Sequence, residues 1–99
     1  ISKLRLLLTD DDTTVRIATA RALCILNMEK EGVKALSEGL KDKDEWNRLN
    51  AALVLDEIGE KARPAINDLQ SVMKDQNKYV VRVVNHALNM LLNTTNEVR

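Results

Sequence analysis

Four kinds of residue in this 99-residue chain are able to carry chemistry: consecutive acids, one histidine, one cysteine, and arginines near aromatic residues. The acids Asp10, Asp11 and Asp12 suggest a calcium loop at first sight. An EF-hand loop requires alternating acids, a glycine and a closing glutamate, and residues Thr13 to Arg21 do not supply them. We therefore interpret these acids as helix caps and as charges that complement the helix dipole.

The single histidine and the single cysteine restrict catalysis and metal binding further. One histidine, His86, does not provide the paired imidazoles of a histidine-based metal site. Cys24 has no partner for an internal disulfide and no flanking base to lower its pKa, so we expect a small core residue. The sequence also lacks a Gly-rich phosphate loop and a recognisable nucleophile–base pair. We predict no catalytic residue, no cofactor and no metal site, and an enzyme is the least favoured function.

The charge of the chain argues against two other classes of partner. Fifteen basic residues balance fifteen acidic ones, so the formal net charge is zero. Nucleic-acid binding requires clustered Lys and Arg, and the balance gives no reason to expect a membrane surface either. No apolar run approaches the roughly 20 residues that span a bilayer. We therefore predict a protein partner, while the oligomeric state stays open.

The elements that position these residues repeat at a fixed interval. The pattern Leu-x-x-x-Leu-x-Asp begins at Leu4, recurs at Leu36, and recurs at Leu69 with Met73 in place of the second leucine. The offsets between the copies are 32 and 33 residues. Repetition at this interval is typical of stacked helix pairs, because one pair cannot bury its apolar face alone.

We predict an all-α domain of three helix pairs over residues 1–92, with no strand. Unit 1 comprises residues 1–28, unit 2 residues 29–60 and unit 3 residues 61–92, and the polar tail 93–99 is expected to fray. The predicted first helices run over about residues 1–8, about 30–41, and from a first turn with Pro64 to about 74. The predicted second helices end near 27, 58 and 92.

Two details of these helices are expected from local chemistry. Gly59 follows the second helix of unit 2, where a left-handed residue commonly ends a helix. In unit 1 the apolar faces of the second helix are expected to include Ile25 and Leu26.

The repeat resembles the HEAT family. The residues that carry the resemblance are Asp10, Val15-Arg16, Ala20 and Leu23 in unit 1, and Asp42, Arg48, Ala51-Ala52, Leu55 and Ile58-Gly59 in unit 2. The short unit is similar to the variety grouped with phycobilisome-lyase HEAT-like repeats. The resemblance implies a right-handed α-α superhelix and a non-catalytic module for protein–protein or intramolecular contacts. A stand-alone scaffold and a nucleic-acid-binding HEAT module remain alternatives, the latter opposed by the neutral charge.

A narrower resemblance concerns the run WNRLNAALVLDEIGEKARPAINDL and the later run KDQNKYVVRVVNHALNMLL. They look like helical repeats that follow the catalytic domain of some bacterial sulfatase-like hydrolases. Because the chain begins with Ile, we interpret it as an excised accessory part whose partner is a parent catalytic domain. That parent would carry Cys-x-Pro-x-Arg, which the sequence after Cys24 does not match. The localisation is otherwise unknown, and this resemblance implies a periplasmic or extracytoplasmic one.

Two pairs of residues in the second helices are candidates for partner binding. Trp46 and Tyr79 occupy matching positions at helix starts, where an aromatic ring often staples the turn against its neighbour; the alternative is an exposed recognition site. Arg16 and Arg48 also match each other. They bind a carboxylate or phosphate together or, more commonly, pair with acids of the intervening turns. Those acids are Asp10, Asp12, Asp42 and Asp44.

The last helix completes the candidate set with a polar stripe. Arg82, Asn85, His86 and Asn89 take positions where unit 2 is largely apolar. They form either a partner contact or, as we favour, the wettable end that a terminal repeat requires. The apolar register aligns Val81, not Arg82, with Arg48 of unit 2. Unit 3 therefore departs from the family pattern at the position of this arginine.

Overall fold

Six α-helices and two short 3₁₀ segments make up the computed structural model, which describes residues 2–98. The helices are α1 (Ser2–Leu6), α2 (Thr13–Ile25), α3 (Glu29–Gly39), α4 (Glu45–Ile58), α5 (Ile66–Val72) and α6 (Lys78–Leu92), with 3₁₀ segments at Leu7–Thr9 and Gly59–Ala65. Over this range there is no strand, and the predicted all-α stack of three helix pairs is confirmed. Ile1 and Arg99, which belong to the predicted first helix and tail, lie outside the described residues.

Each second helix begins at a repeated side-chain cap. The caps are Asp12, Asp44 and Asn77, whose side-chain oxygens each accept a backbone N–H from two residues further on at 2.8 Å. The acid two residues before each cap folds the turn in the same way, by accepting the N–H of the cap residue at 2.8–2.9 Å. The repeated acids therefore fix helix entry, as the sequence indicates.

The first helices depart from the prediction in units 1 and 3. Helix α1 ends at Leu6 and tightens into a 3₁₀ turn. In unit 3, Pro64 lies inside the 3₁₀ segment rather than in the first α-turn, and α5 begins only at Ile66. Proline lacks an N–H and disfavours α geometry in the residue before it, which explains the late start. Gly59 ends α4 with a φ of 62°, the positive value predicted, but its ψ of −128° lies outside the left-handed helical region.

The core lies between the two helix layers and runs through all three units. Leu23, Leu55 and Leu88 are buried at matching positions of the second helices. Small residues let the backbones approach, and Gly32 of α3 is the tightest case. A Cβ built there would lie 2.5 Å from the Cys24 Sγ and 2.6 Å from the Ala20 carbonyl oxygen.

The last two apolar residues of the predicted second helix of unit 1 do not join this core. Both Ile25 and Leu26, expected on apolar faces of the second helix, are exposed. The expectation that they pack in the core is therefore wrong, because no neighbouring helix among residues 2–98 covers the end of α2.

An arginine links units 2 and 3 by a bidentate ion pair. The Nε and Nη2 atoms of Arg48 donate to the two carboxylate oxygens of Asp75 at 2.6 and 3.2 Å. Its Nη1 atom donates to the carbonyl oxygens of Asp42 and Lys43 at 2.9 and 3.0 Å. Arg48 thus closes the turn of its own unit and holds the turn of the next one.

The matching contact between units 1 and 2 runs through a threonine. Arg16 donates from Nη1 to the carbonyl oxygen of Asp10 and from Nη2 to the Thr13 hydroxyl oxygen. That hydroxyl donates to the Asp42 carboxylate at 2.9 Å. We predicted that these arginines pair with turn acids. They do contact the turns, but the carboxylate that Arg48 binds is Asp75, which lies outside the predicted set.

The environment of Asp75 favours its charged form. Burial acts to raise its pKa, but the hydrogen bonds from Arg48 and from the Asn77 backbone outweigh burial, so the pKa lies below its ordinary value. The pKa of Asp42 is also lowered, chiefly by the backbone N–H of Asp44.

We expect Gly32→Ala to lower the free energy of unfolding by about 1–3 kcal/mol, because the added methyl group meets a backbone oxygen and a buried sulfur. Chemical denaturation measures the change. The matched control is Lys34→Ala, an exposed position on the same helix, with an effect within about 0.5 kcal/mol. A Gly32→Ala protein as stable as wild type contradicts the close approach of α2 and α3.

Asp75→Asn should lower the free energy of unfolding at pH 7 by about 1–3 kcal/mol, because Arg48 loses its carboxylate. The folded pKa of Asp75 is depressed, so its stabilisation is present above the unfolded pKa of about 3.9 and is lost as pH falls through the folded value. Urea unfolding from pH 7 to pH 2 should show the difference from wild type shrinking below about pH 4. Glu60→Gln, in an exposed pair with Arg63, is the control and should cost less than about 1 kcal/mol. A difference that is constant with pH contradicts the role of the charge.

Candidate protein-interaction surface

The outward sides of α2, α4 and α6 form one continuous surface, which we call the second-helix surface. It consists of positions that recur at the 32- and 33-residue offsets and are exposed or half-buried in every unit. Its residues are Thr14, Ala18, Arg21 and Ile25 on α2, Trp46, Asn50, Leu53 and Glu57 on α4, and Tyr79, Val83, His86 and Met90 on α6.

The two aromatic residues of this surface project into solvent. Trp46 is 65% exposed and Tyr79 is 64% exposed, although each backbone N–H is held by the helix cap. The guanidinium carbon of Arg82 lies 5.9 Å from the centroid of the Tyr79 ring, within cation–π range. Side chains this exposed contradict the prediction that the rings staple the turns. The rings lie on adjacent helices, and the exposed recognition site that was the alternative stays a prediction.

One ion pair and one histidine–carboxylate contact cross this surface between neighbouring helices. Arg21 of α2 contacts Glu57 of α4 at 2.5 Å, and its hydrogen bond lowers the pKa of Glu57. Asp56 of α4 lies 2.8 Å from Nδ1 of His86 on α6. His86 is therefore exposed but already has an acidic neighbour.

The candidate arginines Arg16 and Arg48 are engaged within the protein. Both are half-buried, and each binds backbone oxygens of its own turn together with a polar side chain. Their donors therefore point into the turns between units. They do not form a joint anion site on the second-helix surface.

The polar stripe of α6 is partly engaged by the tail. Asn85 and Asn89 donate to the carbonyl oxygen of Asn96 at 3.0 and 2.8 Å. The Oδ1 atom of Asn89 accepts from the Thr94 hydroxyl at 2.7 Å and from the Asn96 N–H at 3.1 Å. Residues 93–98, which were expected to fray, are not helical, and these bonds hold them along α6. Asn85 and Asn89 are thus not free to meet a partner, whereas Arg82 and His86 are exposed.

A groove of about 510 Å³ lies on the opposite side of the stack, between α3 and the 3₁₀ segment of unit 3. Val33 and Pro64 are among its lining residues, and the salt bridge from Lys41 to Asp68 crosses it at 3.1 Å. The late start of α5 separates the first helices here. Lysines and acids line the groove in equal number.

The structure gives no support for catalysis or metal binding by the described residues. Cys24 is buried, and burial raises the pKa of its thiol, so the reactive thiolate is disfavoured. Within residues 2–98, no group of three His, Cys, Asp or Glu side chains is placed to hold a metal ion. None of the helices in this range is long and apolar enough to cross a membrane.

Sequence reasoning missed Leu53 and the role of the tail. Leu53 is exposed on α4 and matches Arg21 and His86 in the other units. The repeat offsets would have shown that these three positions share the outer side of the second helices. The bonds to Asn96 had no comparable signal, because a short polar tail has no period.

Comparison with known proteins identifies the family but no individual relative. No curated protein matches the chain, and no solved structure matches it. The sequence model described as HEAT repeats matches residues 1–89. That range covers all three units up to the last turn of α6, so the chain belongs to the HEAT repeat family.

Proposed function

We propose that this HEAT repeat module binds a protein partner through the second-helix surface, with Trp46 and Tyr79 as its anchors. HEAT repeats generally mediate protein–protein interaction, and their fold is typically non-catalytic. The observation that carries the proposal is the exposure of the only tryptophan and the only tyrosine at matching positions of adjacent helices.

The energetics of exposed aromatic rings support this assignment. Tryptophan and tyrosine are enriched among the residues that dominate binding energy, because each buries a large area with few torsions to fix. Packed helices lie about 8–10 Å apart, so the two rings project one helix spacing from each other. Leu53 adds an exposed apolar side chain about two helical turns beyond Trp46 on α4.

The charges of the surface favour a protein over a polyanion. Arg21 and Glu57 neutralise each other, and His86 has Asp56 beside it. Arg16 and Arg48 are turned into the stack. A nucleic-acid-binding role would require unpaired basic side chains along this surface. Within residues 2–98, Arg82 is the one exposed candidate arginine without a salt bridge, because Arg16 also forms none but is half-buried and donates to its own turn.

The sulfatase-like resemblance gives an intramolecular form of the same proposal, in which the partner is a catalytic domain of one polypeptide. This form rests on the resemblance alone. The coding sequence upstream of residue 1 tests it directly: a Cys-x-Pro-x-Arg motif there supports the parent enzyme, and its absence removes this form without affecting the surface.

We expect Trp46→Ala and Tyr79→Ala each to weaken partner binding by about tenfold or more, because each removes a central aromatic anchor. The partner is first defined, without reference to the variants, as a protein retained by immobilised wild-type chain and not by the support alone. Its dissociation constant is then measured by calorimetry with purified components.

The control for this experiment is Leu6→Ala, which removes an equally exposed apolar side chain on α1, away from the second-helix surface. Leu6→Ala should bind like wild type, and all three variants should keep the wild-type melting temperature to within a few degrees. Binding that survives loss of both aromatic rings, or falls equally with Leu6→Ala, contradicts the assignment. Saturable binding of duplex DNA at low salt would favour the nucleic-acid alternative.

A further inference from the structure

The three units differ in how well one set of positions is covered. We call these positions upstream-facing: they lie on the side of each unit that meets the preceding unit. They are Leu7, Val15, Ala22 and Leu26 in unit 1, Gly39, Asn47, Val54 and Ile58 in unit 2, and Val72, Val80, Ala87 and Leu91 in unit 3. The contact direction is visible at Gly39, where an added Cβ would lie 3.5 Å from Ile17 of unit 1.

Burial at these positions falls steadily towards the start of the chain. In unit 3 all four residues are buried, in unit 2 two are buried and two half-buried, and in unit 1 none is buried. Leu91 is 6% exposed and its counterpart Leu26 is 53% exposed. Val72 is 8% exposed and its counterpart Leu7 is 43% exposed. Unit 1 therefore presents to solvent an apolar face that the other two units cover.

The opposite end of the stack has the reverse character. Positions that face the following unit are buried and apolar in unit 1, namely Ile17, Ala20 and Cys24. Their counterparts in unit 3 are Arg82, Asn85 and Asn89, and the tail binds the two asparagines. The downstream end is closed by polar groups, whereas the upstream end is open and apolar.

The turn acids give the open face a charge preference. The Asp75 carboxylate accepts hydrogen bonds from the Arg48 guanidinium of the preceding unit. The Asp42 carboxylate accepts one from the hydroxyl of Thr13 in the preceding unit, and Arg16 donates to that same hydroxyl. Asp10 is the matching acid of unit 1. Its carboxylate accepts the N–H of Asp12, and no basic side chain within residues 2–98 lies in salt-bridge range of it.

We propose that the open face of unit 1 receives a further helix pair of the same repeat type from the same polypeptide, preceding residue 1. That pair packs an apolar, alanine-rich side over Leu7 and Leu26. It also hydrogen-bonds the Asp10 carboxylate, either directly from an arginine, as Arg48 binds Asp75, or through a hydroxyl group, as Thr13 binds Asp42. The proposal rests on the two interfaces inside the chain. The upstream-facing positions of unit 2 pack against unit 1, and those of unit 3 pack against unit 2. The proposal does not depend on the second-helix surface being the binding site.

A second copy of the chain is a poorer occupant of this face. Its downstream end, which would have to stack on unit 1, presents Arg82, Asn85 and Asn89 and is covered by the tail. Stacking there would bury polar groups against leucines, which is unfavourable.

Cysteine labelling in the natural polypeptide, including the region that precedes residue 1, tests the proposal against the isolated 99-residue chain. Leu26→Cys should react with a maleimide at least about tenfold more slowly in the natural polypeptide, because a helix pair covers it only there. The matched control is Ile25→Cys, the neighbouring residue on the second-helix surface, which should react equally in both. Native Cys24 is buried and sets the background rate.

A second measurement concerns the charge at the open face. Asp10→Asn should lower the melting temperature of the natural polypeptide by a few degrees and leave that of the isolated chain unchanged, with Asp11→Asn as the control in both. Equal labelling of Leu26→Cys in the two proteins overturns the proposal. A natural polypeptide without a helix pair before residue 1 also overturns it. The same holds if the isolated 11.2-kDa chain is a dimer in solution and Leu26→Glu makes it a monomer.

Discussion

Apolar surface shared between neighbouring helix pairs is the constraint on which this structure depends. The individual helices are short, and two of the first-layer helices have only five and seven residues, so none is stable by itself. Burial comes from contacts across units, such as the approach of α3 to α2 at Gly32. The stack therefore gains stability with each covered face, as expected for a quasi-one-dimensional protein.

Polar contacts between units give the stack a direction. Arg48 reaches forward to the acid of the next turn, and Arg16 does so through Thr13. Because each acid also folds its own helix entry, one side chain serves both local structure and inter-unit register. A unit placed in the reverse order would lose these bonds, so the two ends of the stack are not equivalent. Polar side chains cover the downstream end, whereas apolar side chains are exposed at the upstream end.

The sequence predicted those features that local chemistry decides. The 32- and 33-residue offsets set the number of units, and Asp12, Asp44 and Asn77 set the starts of the second helices, because caps act within a few residues. The fate of Trp46 and Tyr79 was predicted wrongly, since a ring at a helix entry folds inward only when the neighbouring unit offers a cavity for it. Leu26 shows the same limit: its pattern is that of a buried residue, and its exposure depends on a neighbour that the pattern does not contain.

In this arrangement, the residues that stabilise the fold are largely different from those proposed to bind a partner. Most residues that hold the units together point into the stack, so substitutions of exposed side chains on the second-helix surface are expected to leave the core intact. Trp46 and Tyr79 illustrate the point, because each keeps its backbone bonds to the cap while its ring remains exposed. Arg16 of α2 and Arg48 of α4 also belong to second helices, yet their hydrogen bonds to the turns keep them out of the surface. We therefore expect the specificity for a partner to come from aromatic and apolar contacts. The Arg21–Glu57 ion pair and the His86–Asp56 contact would limit which charged groups of a partner can lie next to them.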